Sequence, residues 1–597
     1  MDIDYRLFEK FGSFIDKDGV FFRVYAPNAK EVSVVGDFNG YEMGKNVLEN
    51  KNGIWEGFVK GAKKGDTYKY AIVTKDNRIF YKADPFSRLY ETPPKSASII
   101  YEFDYKFNDN DWMKKRAKLQ DYDMPLSIYE VHLGSWKKGL NYKELALELS
   151  KYAKEMNFTH IEIMPVTEYP FDGSWGYQAL GYFAPTSRFG KPEEFAEFVD
   201  ILHQEGIGVI MDWVPSHFVT DGHGLISFDG SALYEYEDPR KGYHPEWGSM
   251  IFDYNKRWVR NFLISSAFYF LEKFHIDGIR VDAVASMLYL DYARKDGEWV
   301  PNKYGGNENL EAISFLKELN GAVKTEFGDC LMVAEESTAF PGVTKKEGLG
   351  FDYKWNMGWM HDTLRYFSKD PIYRQYHHNE LTFTFYYGFD ERFILPLSHD
   401  EVVHMKGSLM TKMPGGHIEK FANIRALFSY MYAHPGKKLL FMGDEIAQFR
   451  EWDFAGEIDW YLLEDVGNRG VQSLVKDLNY LYKTKKALYK TDNNPNSLEW
   501  IDVYNYQNNI LSFIRKYEDE EIIIVCNFSN IIQKYRVGAN KGEYIEIFNS
   551  QDEKYAGSGI KNEGILKAQK IESFGREYSF EITLPQLSVI YLEKKGD

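Results

Sequence analysis

At 597 residues the chain is too long for one hydrophobic core, and the usual domain size of roughly 100 to 200 residues divides it into about three or four units. With 44% hydrophobic and 27% charged residues and no low-complexity tract, it is neither disordered nor fibrous, and its net charge of -17 repels a polyanion and so excludes nucleic acid as the natural partner. A neutral ligand fits better, and the 17% of aromatic residues suits both core packing and stacking on sugar rings.

The first residues, Met1 to Lys10, carry Asp2, Asp4 and Glu9 and lack the basic and apolar parts of a signal peptide, and no run approaches about 18 uncharged apolar residues. A cytoplasmic protein without membrane attachment is expected. Cys330 and Cys526 each stand alone in an apolar run, so neither a disulfide framework nor a thiolate metal site is expected.

From Gly19 to about Phe103 short alternating runs (Phe22 and Val24, then Val32 and Val34) with the turn Asp37-Phe38-Asn39-Gly40 predict a small β-sandwich. It is read as a brace for the middle of the chain, with Trp55 and Tyr41 as the residues to test for sugar contact. That middle alternates apolar runs with amphipathic helices. Phe195, Phe198, Val199 and Leu202 recur at helical spacing before the run Gly206 to Val214. Trp258 to Phe274 leads into Gly278 to Val284, and Ala312, Leu316, Leu319 and Val323 precede Leu331 to Ala334. No Gly-rich nucleotide fingerprint stands behind any strand, so an α/β class with a central (β/α)8 barrel is preferred to an open doubly wound sheet. Strands at Ile510 to Ile514 and Glu521 to Phe528 begin a closing all-β unit. The expected division is 1–105 β-sandwich, 106–490 barrel and 491–597 C-terminal β-sandwich.

Reactive groups of such barrels sit at the carboxyl ends of strands, and four apolar runs here end in acids: Asp212, Asp282, Glu335 and Asp400. One such acid alone reads as a helix cap. Four in succession, 70, 53 and 65 positions apart, belong to separate strands of about 30-residue units and converge on one mouth. A pair of carboxyl groups acting on an acetal is the apparatus of glycoside chemistry. In Gly278-Ile-Arg-Val-Asp282, Arg280 and Asp282 are two apart in a strand and share a face, so the guanidinium holds the carboxylate ionised, which suits a nucleophile; alone, the pair reads as a structural ion pair. Of Glu335 and Glu336 only one faces the mouth. Glu335 is preferred, since the apolar run before it desolvates it and favours proton donation, and Glu336 is left either as a support behind the reacting groups or as a cap.

The blocks Asp212-Trp-Val-Pro-Ser-His217, Gly278-Ile-Arg-Val-Asp-Ala283, Ala334-Glu-Glu-Ser337 and Leu397-Ser-His-Asp-Glu401 resemble, in order, the signature blocks of the alpha-amylase superfamily, glycoside hydrolase family 13. Tyr129-Glu-Val-His-Leu-Gly-Ser-Trp136, Ser174-Trp-Gly-Tyr-Gln178, Gly181 to Gly190, His244-Pro-Glu-Trp-Gly248 and Lys406-Gly-Ser-Leu409 resemble its glycogen branching subgroup. The amino-terminal segment resembles a family-48 carbohydrate-binding module. The resemblance implies Asp282 as nucleophile, Glu335 as general acid and base, and Asp400 as the carboxylate gripping sugar hydroxyls. It further implies Asp212, His217 and His399 as polar partners of the reacting glucose, Arg280 as support for Asp282, and Tyr177 as the aromatic floor. The substrate it implies is an alpha-1,4-glucan such as glycogen, amylose or amylopectin-like chains, with no cofactor; related amylases can carry calcium, but no carboxylate cluster here has calcium-loop spacing, so no metal is expected. Trp175, Trp136 and His132 are read more simply as packing.

Ser216 stands where the family usually has Gly, Asn307 where Arg is frequent and Asp444 where a second Gly is common. A hydrolase or debranching enzyme of the same superfamily, or a silent glucan-binding protein, are the rival readings; the acids alone do not separate branching from hydrolysis.

Overall fold

The computed structural model describes residues 2–596. The chain forms two compact units interleaved in sequence, one of residues 1–117, 139–150 and 162–352, the other of 118–138, 151–161 and 353–597. The β-strands of a parallel barrel run through both.

The amino-terminal segment is the expected sandwich. One sheet pairs Gly12–Asp16, Gly19–Tyr25, Ile54–Lys60 and Glu49–Lys51 in that order; the other is built on Ala29–Gly36, Thr67–Thr74 and Ile79–Lys82. Val20, Phe22, Val24, Val32, Val34, Tyr68 and Tyr70 are buried between them, as the period-two pattern requires. Trp55 is not a surface residue: it is 5% exposed and its indole N–H donates to the carbonyl of Ala26 at 2.9 Å. Trp55, one of the two residues singled out for a sugar-contact test, therefore packs inside the sandwich. Tyr41 stays 38% exposed.

The same unit contains what the sandwich braces. Lys82, pushed down to about 8 by burial, donates to the carbonyls of Gly222 and Ile226 at 2.7 and 2.6 Å, and the Asn28 N–H donates to the Asp229 carboxylate at 2.8 Å. Phe86 stacks on Phe183 at 4.7 Å, and Phe11 and Tyr25 meet Trp258 at 5.1 and 4.4 Å. Between sandwich and barrel, residues 101–108 form an extended strap without sheet partners: Tyr101, Phe103, Tyr105 and Phe107 are at least partly buried, while Glu102, Asp104, Lys106 and Asn108 are exposed. The strap thus binds by alternation, with Phe103 on Phe274 at 4.8 Å and Phe107 stacked on His275 at 3.9 Å.

The barrel strands are β1 (Ser127–Val131), β2 (His160–Ile163), β3 (Gly208–Trp213), β4 (Gly278–Val281), β5 (Leu331–Ala334), β6 (Tyr353–Trp355), β7 (Phe393–Leu397) and β8 (Lys437–Phe441), closed in sequence order. Every residue of these strands is buried, which is why they read as apolar runs rather than alternating ones. Register sets the mouth: Asp212 on β3 lies opposite Arg280 on β4, and Val281 lies opposite Ala334 on β5, so the residues just beyond these strand ends emerge together. The helices fall where their periodicity places them, at Pro192–Gln204, Arg257–Lys273 and Leu310–Glu326. β3 begins two residues later than the apolar run because Gly206, at φ +77°, takes the left-handed turn that ends the preceding helix.

The second unit ends in an all-β region, with a six-stranded sheet and the pair Gln533–Ala539 and Tyr578–Leu584 around a core including Ile514, Val525, Val537, Phe580 and Ile590. Arg515, fully buried, ties it to the helices of that unit by donating to the Ala433 carbonyl at 2.8 Å and to Asp492 at 2.9 Å. Among the described residues no helix is long and apolar enough to cross a membrane, and both cysteines are buried and free.

Candidate active site

The first unit gathers three of the four sequence-predicted acids around one arginine. Arg280 Nη1 donates to both carboxylate oxygens of Asp212 at 2.7 Å and to Asp282 Oδ1 at 2.8 Å, and its Nη2 lies 3.2 Å from Glu335 Oε2. Burial alone would disfavour the charged guanidinium, but Asp212, Glu335 and Asp282 outweigh it and hold Arg280 well above its ordinary value. Asp212 also accepts the Tyr177 hydroxyl at 2.6 Å, and its side chain is 1% exposed against 10% for Asp282 and 17% for Glu335. The outer two acids therefore keep a face toward solvent, while Asp212 is enclosed by its partners.

Backbone geometry aims Glu335. Ala283, directly after Asp282, has φ +53°, a left-handed conformation uncommon for a residue with a Cβ, and in it the Ala283 N–H donates to Glu335 Oε2 at 2.7 Å. Glu336 is fully buried and accepts the Thr338 N–H at 2.8 Å, in a loop that leads into no helix, so it caps none.

His217 sits beside this cluster with both ring nitrogens engaged: Nε2 with the Tyr177 carbonyl at 2.9 Å and Nδ1 with the Ser216 hydroxyl at 2.8 Å. A carbonyl only accepts, so Nε2 carries the hydrogen and Nδ1 accepts from Ser216. Burial pushes His217 down to about 4, and it is a neutral imidazole that holds the backbone of Tyr177. Trp247 stands 5.0 Å from the His217 ring, stacks flat on His244 at 3.7 Å and accepts Gln178 Nε2 through its carbonyl at 3.4 Å. The hairpin bearing His244 and Trp247 thereby buttresses the Tyr177-Gln178 segment from behind.

The second unit carries Asp400 and His399 just beyond β7. His399 Nδ1 meets Glu130 Oε1 at 2.6 Å, its backbone N–H donates to Glu130 Oε2 at 3.0 Å, and its Nε2 lies 3.4 Å from Asp400 Oδ1. Asp400 keeps 38% of its side chain exposed, and its carbonyl accepts from Lys406 at 2.6 Å. His132 is the packed histidine that its context suggested, bonded to Ser135 at 2.7 Å and 7% exposed. Among the described residues no group of three or more His, Cys, Asp or Glu has the geometry to hold a metal ion.

Family models match three stretches: carbohydrate-binding module 48 (isoamylase N-terminal domain) over residues 10–87, the alpha-amylase catalytic domain over 147–238, and the alpha-amylase C-terminal all-beta domain over 500–595. The chain is 54% identical to the 1,4-alpha-glucan branching enzyme GlgB of Aquifex aeolicus, over 99% of this chain and 97% of that one. It belongs to the GlgB branching-enzyme family. The GlgB of Rubrobacter xylanophilus is 51% identical over 97% of this chain and 82% of its own. The crystal structure of a pullulanase from Anoxybacillus sp. LM18-11 complexed with maltotetraose shares the fold, with TM-score 0.72 at 15% identity over 98% of this chain and 87% of that chain.

Within this GlgB-family chain each departure noted in the sequence has a local setting. Ser216 supplies the hydroxyl that fixes the His217 tautomer. Asn307 donates to both oxygens of Asp291 at 3.2 and 3.1 Å, a weaker hold than an arginine fork. Asp444, at the carboxyl end of β8, is buried with no partner for Oδ2, and burial raises it well above the usual carboxylate range. Sequence reasoning singled out neither Glu130 nor Trp247 by role. Glu130 carried a signal all the same, an acid inside the buried run Ser127–Val131.

Proposed function

We infer that the chain is a 1,4-alpha-glucan branching enzyme, a glycosyltransferase that cuts an alpha-1,4-glucan and rejoins the severed segment to a 6-hydroxyl as an alpha-1,6 branch by retaining double displacement. The observation that carries the chemistry is the shared guanidinium. Asp282 and Glu335 lie at 2.8 and 3.2 Å from adjacent nitrogens of Arg280, so two partly exposed carboxyl groups meet at the carboxyl end of neighbouring strands. We assign Asp282 as nucleophile, Glu335 as general acid and base, and Asp400 as the carboxylate that grips sugar hydroxyls, with Tyr177, Asp212, His217, Arg280 and His399 around the reacting glucose. The division into 1–105, 106–490 and 491–597 and a cytoplasmic location, which the two buried free thiols support, belong to the same reading.

In the first half-reaction Asp282 attacks C1, the C1–O4 bond breaks with its electron pair going to O4, and Glu335 gives O4 its proton. Glu335 then takes the proton of an acceptor 6-hydroxyl, O6 bonds to C1 and Asp282 leaves, so two inversions give retention. Arg280, kept cationic, holds Asp282 ionised for attack. Neutral His217 donates no charge to the site and serves by fixing the Tyr177 backbone. Incubation with amylose should yield alpha-1,6 signals by proton NMR without a matching rise in reducing ends; reducing ends that rise without new linkages would make the chain a hydrolase.

A further inference from the structure

The turn that follows β7 combines a strained backbone with an apolar side chain held in water. Beyond Asp400 the chain is anchored by the buried Val402 and Val403 and again by the buried Ser408 and Leu409, and between these footings His404, Met405 and Lys406 are exposed. His404 at φ +56°, Met405 at φ +65° and Gly407 at φ +74° are all left-handed, a region that suits the glycine and strains two consecutive residues that carry a Cβ. Two lysines offset that strain. Lys406 Nζ donates to the Asp400 carbonyl at 2.6 Å, and Lys412 Nζ donates to the carbonyls of Glu401, Lys406 and Gly407 at 2.6, 2.7 and 2.9 Å. Bonds from a charged donor are roughly twice as strong as neutral ones, so the backbone on either side of the exposed residues is clamped. The footings are tied as well: the Trp452 N–H donates to the Val402 carbonyl and the Ser408 hydroxyl to the Phe449 carbonyl, each at 2.9 Å. On this fixed turn Met405 is 96% exposed, the highest value for a large hydrophobic side chain among the described residues.

We propose that Met405 is an apolar contact for the glucan chain beside the sugar that Asp400 grips, a residue that sets how tightly the chain is held and not how fast its bond breaks. An exposed apolar residue alone is commonplace. Here a rigid turn presents it at the cost of backbone strain, which concentrates at ligand clamps and active sites. Met405 follows Asp400 by five residues, a stretch that spans at most about 18 Å even fully extended, and the Lys406 bond folds it back toward Asp400. An unbranched, polarisable thioether adapts to the uneven C–H face of a sugar. The ligand class rests on the branching reading.

The test is steady-state kinetics on amylose, with product linkages read by proton NMR, for the parent and for Met405→Gly, Met405→Asn and Met405→Leu. Glycine and asparagine both suit a left-handed backbone, so the melting temperature should hold or rise in these two while the apolar contact is lost. KM should rise about tenfold in each, the factor expected when most of a methionine side chain loses its cover, with kcat changed far less. Met405→Leu restores the apolar bulk and should return KM to within about twofold of the parent. A parental KM in both the glycine and asparagine variants overturns the proposal. So does a rise in Met405→Gly alone, which assigns the effect to a loosened turn, or a fall in kcat at constant KM, which makes the turn a support for Asp400. A parent that cuts amylose without forming alpha-1,6 links overturns the branching reading instead, and the same KM series still decides the contact. A direct readout uses carbon-13 methyl-labelled methionine on an Asp282→Asn background that prevents turnover. The Met405 signal, identified by its absence from Met405→Gly, should shift on titration with maltoheptaose, and a signal that stays in place rejects the contact.

Discussion

The two ends of β4 carry two buried networks made of the same chemical parts. At the carboxyl end Arg280 serves Asp212, Asp282 and Glu335, and two of those acids remain 10% and 17% exposed. At the amino end Asp277, immediately before the strand, accepts from His203 at 2.7 Å, Trp112 at 2.8 Å and the Val209 N–H at 2.7 Å. His203 in turn meets Asp109 at 2.9 Å, and Arg116 forks onto Asp329 at 2.8 Å through two nitrogens. The side chains of His203 and Asp277 are 0% exposed. In the closed network His203 and Asp277 are wholly enclosed by protein partners; the open one has three carboxylates on one cation and keeps two of them partly exposed. What separates a reactive site from a structural one here is that openness, since the residue types are shared, and it matches the division of labour between the two faces of such barrels.

The largest effect that tests this contrast is at the open end. Asp282→Asn should lower branching by about 10⁴-fold or more, because the nucleophile is lost. It should leave thermal stability level or slightly raised, since Arg280 then faces one carboxylate fewer. Glu335→Gln should show the same pattern. A rate loss below about tenfold for either would dissolve the distinction. At the closed end the expectation reverses: His203→Gln should cost on the order of 3 kcal/mol of stability, from the shift of its pKa, while branching per folded molecule stays near that of the parent.

The closed network also sets a pH signature. Burial opposes the imidazolium, but Asp277 and Asp109 outweigh it and push His203 up to about 9. A raised folded value stabilises fully below the unfolded value of about 6.5 and loses that contribution as pH rises toward about 9. Burial opposes the two carboxylates, but His203 and His275 hold Asp109, and His203 with Arg116 and Trp112 holds Asp277, below the ordinary carboxylate value, so their share is present above about pH 4 and lost on acidification. Melting temperature against pH should therefore fall between pH 6.5 and 9, and His203→Gln should flatten that limb; a limb that persists in the variant assigns it elsewhere.

The same contrast explains what was legible in the sequence. Arg280, Asp282 and Glu335 stand at the ends of continuous apolar runs, and a short-range pattern suffices to find them. So does the alternation of helix and strand that gives a barrel. The closed network leaves no such trace, because His203 finds Asp277 and Asp109 at separations of 74 and 94 residues, and only the folded register unites them.

A smaller effect is expected for Glu130, which orients His399 from a distance of 269 residues in sequence. Glu130→Gln keeps a hydrogen-bond acceptor but loses the charge and one of the two carboxylate oxygens that bind the ring and the backbone N–H. Branching should fall about tenfold to a hundredfold, as expected for a group displaced by a fraction of an ångström to an ångström. The effect should appear in kcat more than in stability. A Glu130→Gln protein with parental kcat and a lowered melting temperature would make Glu130 a structural acid of the closed kind.

The smallest effect concerns Ser216. Its hydroxyl donates to His217 Nδ1 at 2.8 Å, and that bond, with Nε2–H on the Tyr177 carbonyl, selects one tautomer of a buried neutral ring. Ser216→Ala leaves Nδ1 as a buried acceptor without a donor, which costs about 1 kcal/mol and should lower the rate only a few-fold, since the carbonyl of Tyr177 still holds the other nitrogen. Ser216→Gly should be milder than Ser216→Ala, because the space vacated by the whole side chain admits a water that restores the donor. The ordering Ser, then Gly, then Ala, read in melting temperature and in the nitrogen-15 shift of His217, distinguishes a tautomer lock from simple packing. If Ser216 merely fills volume, glycine must be the worse of the two.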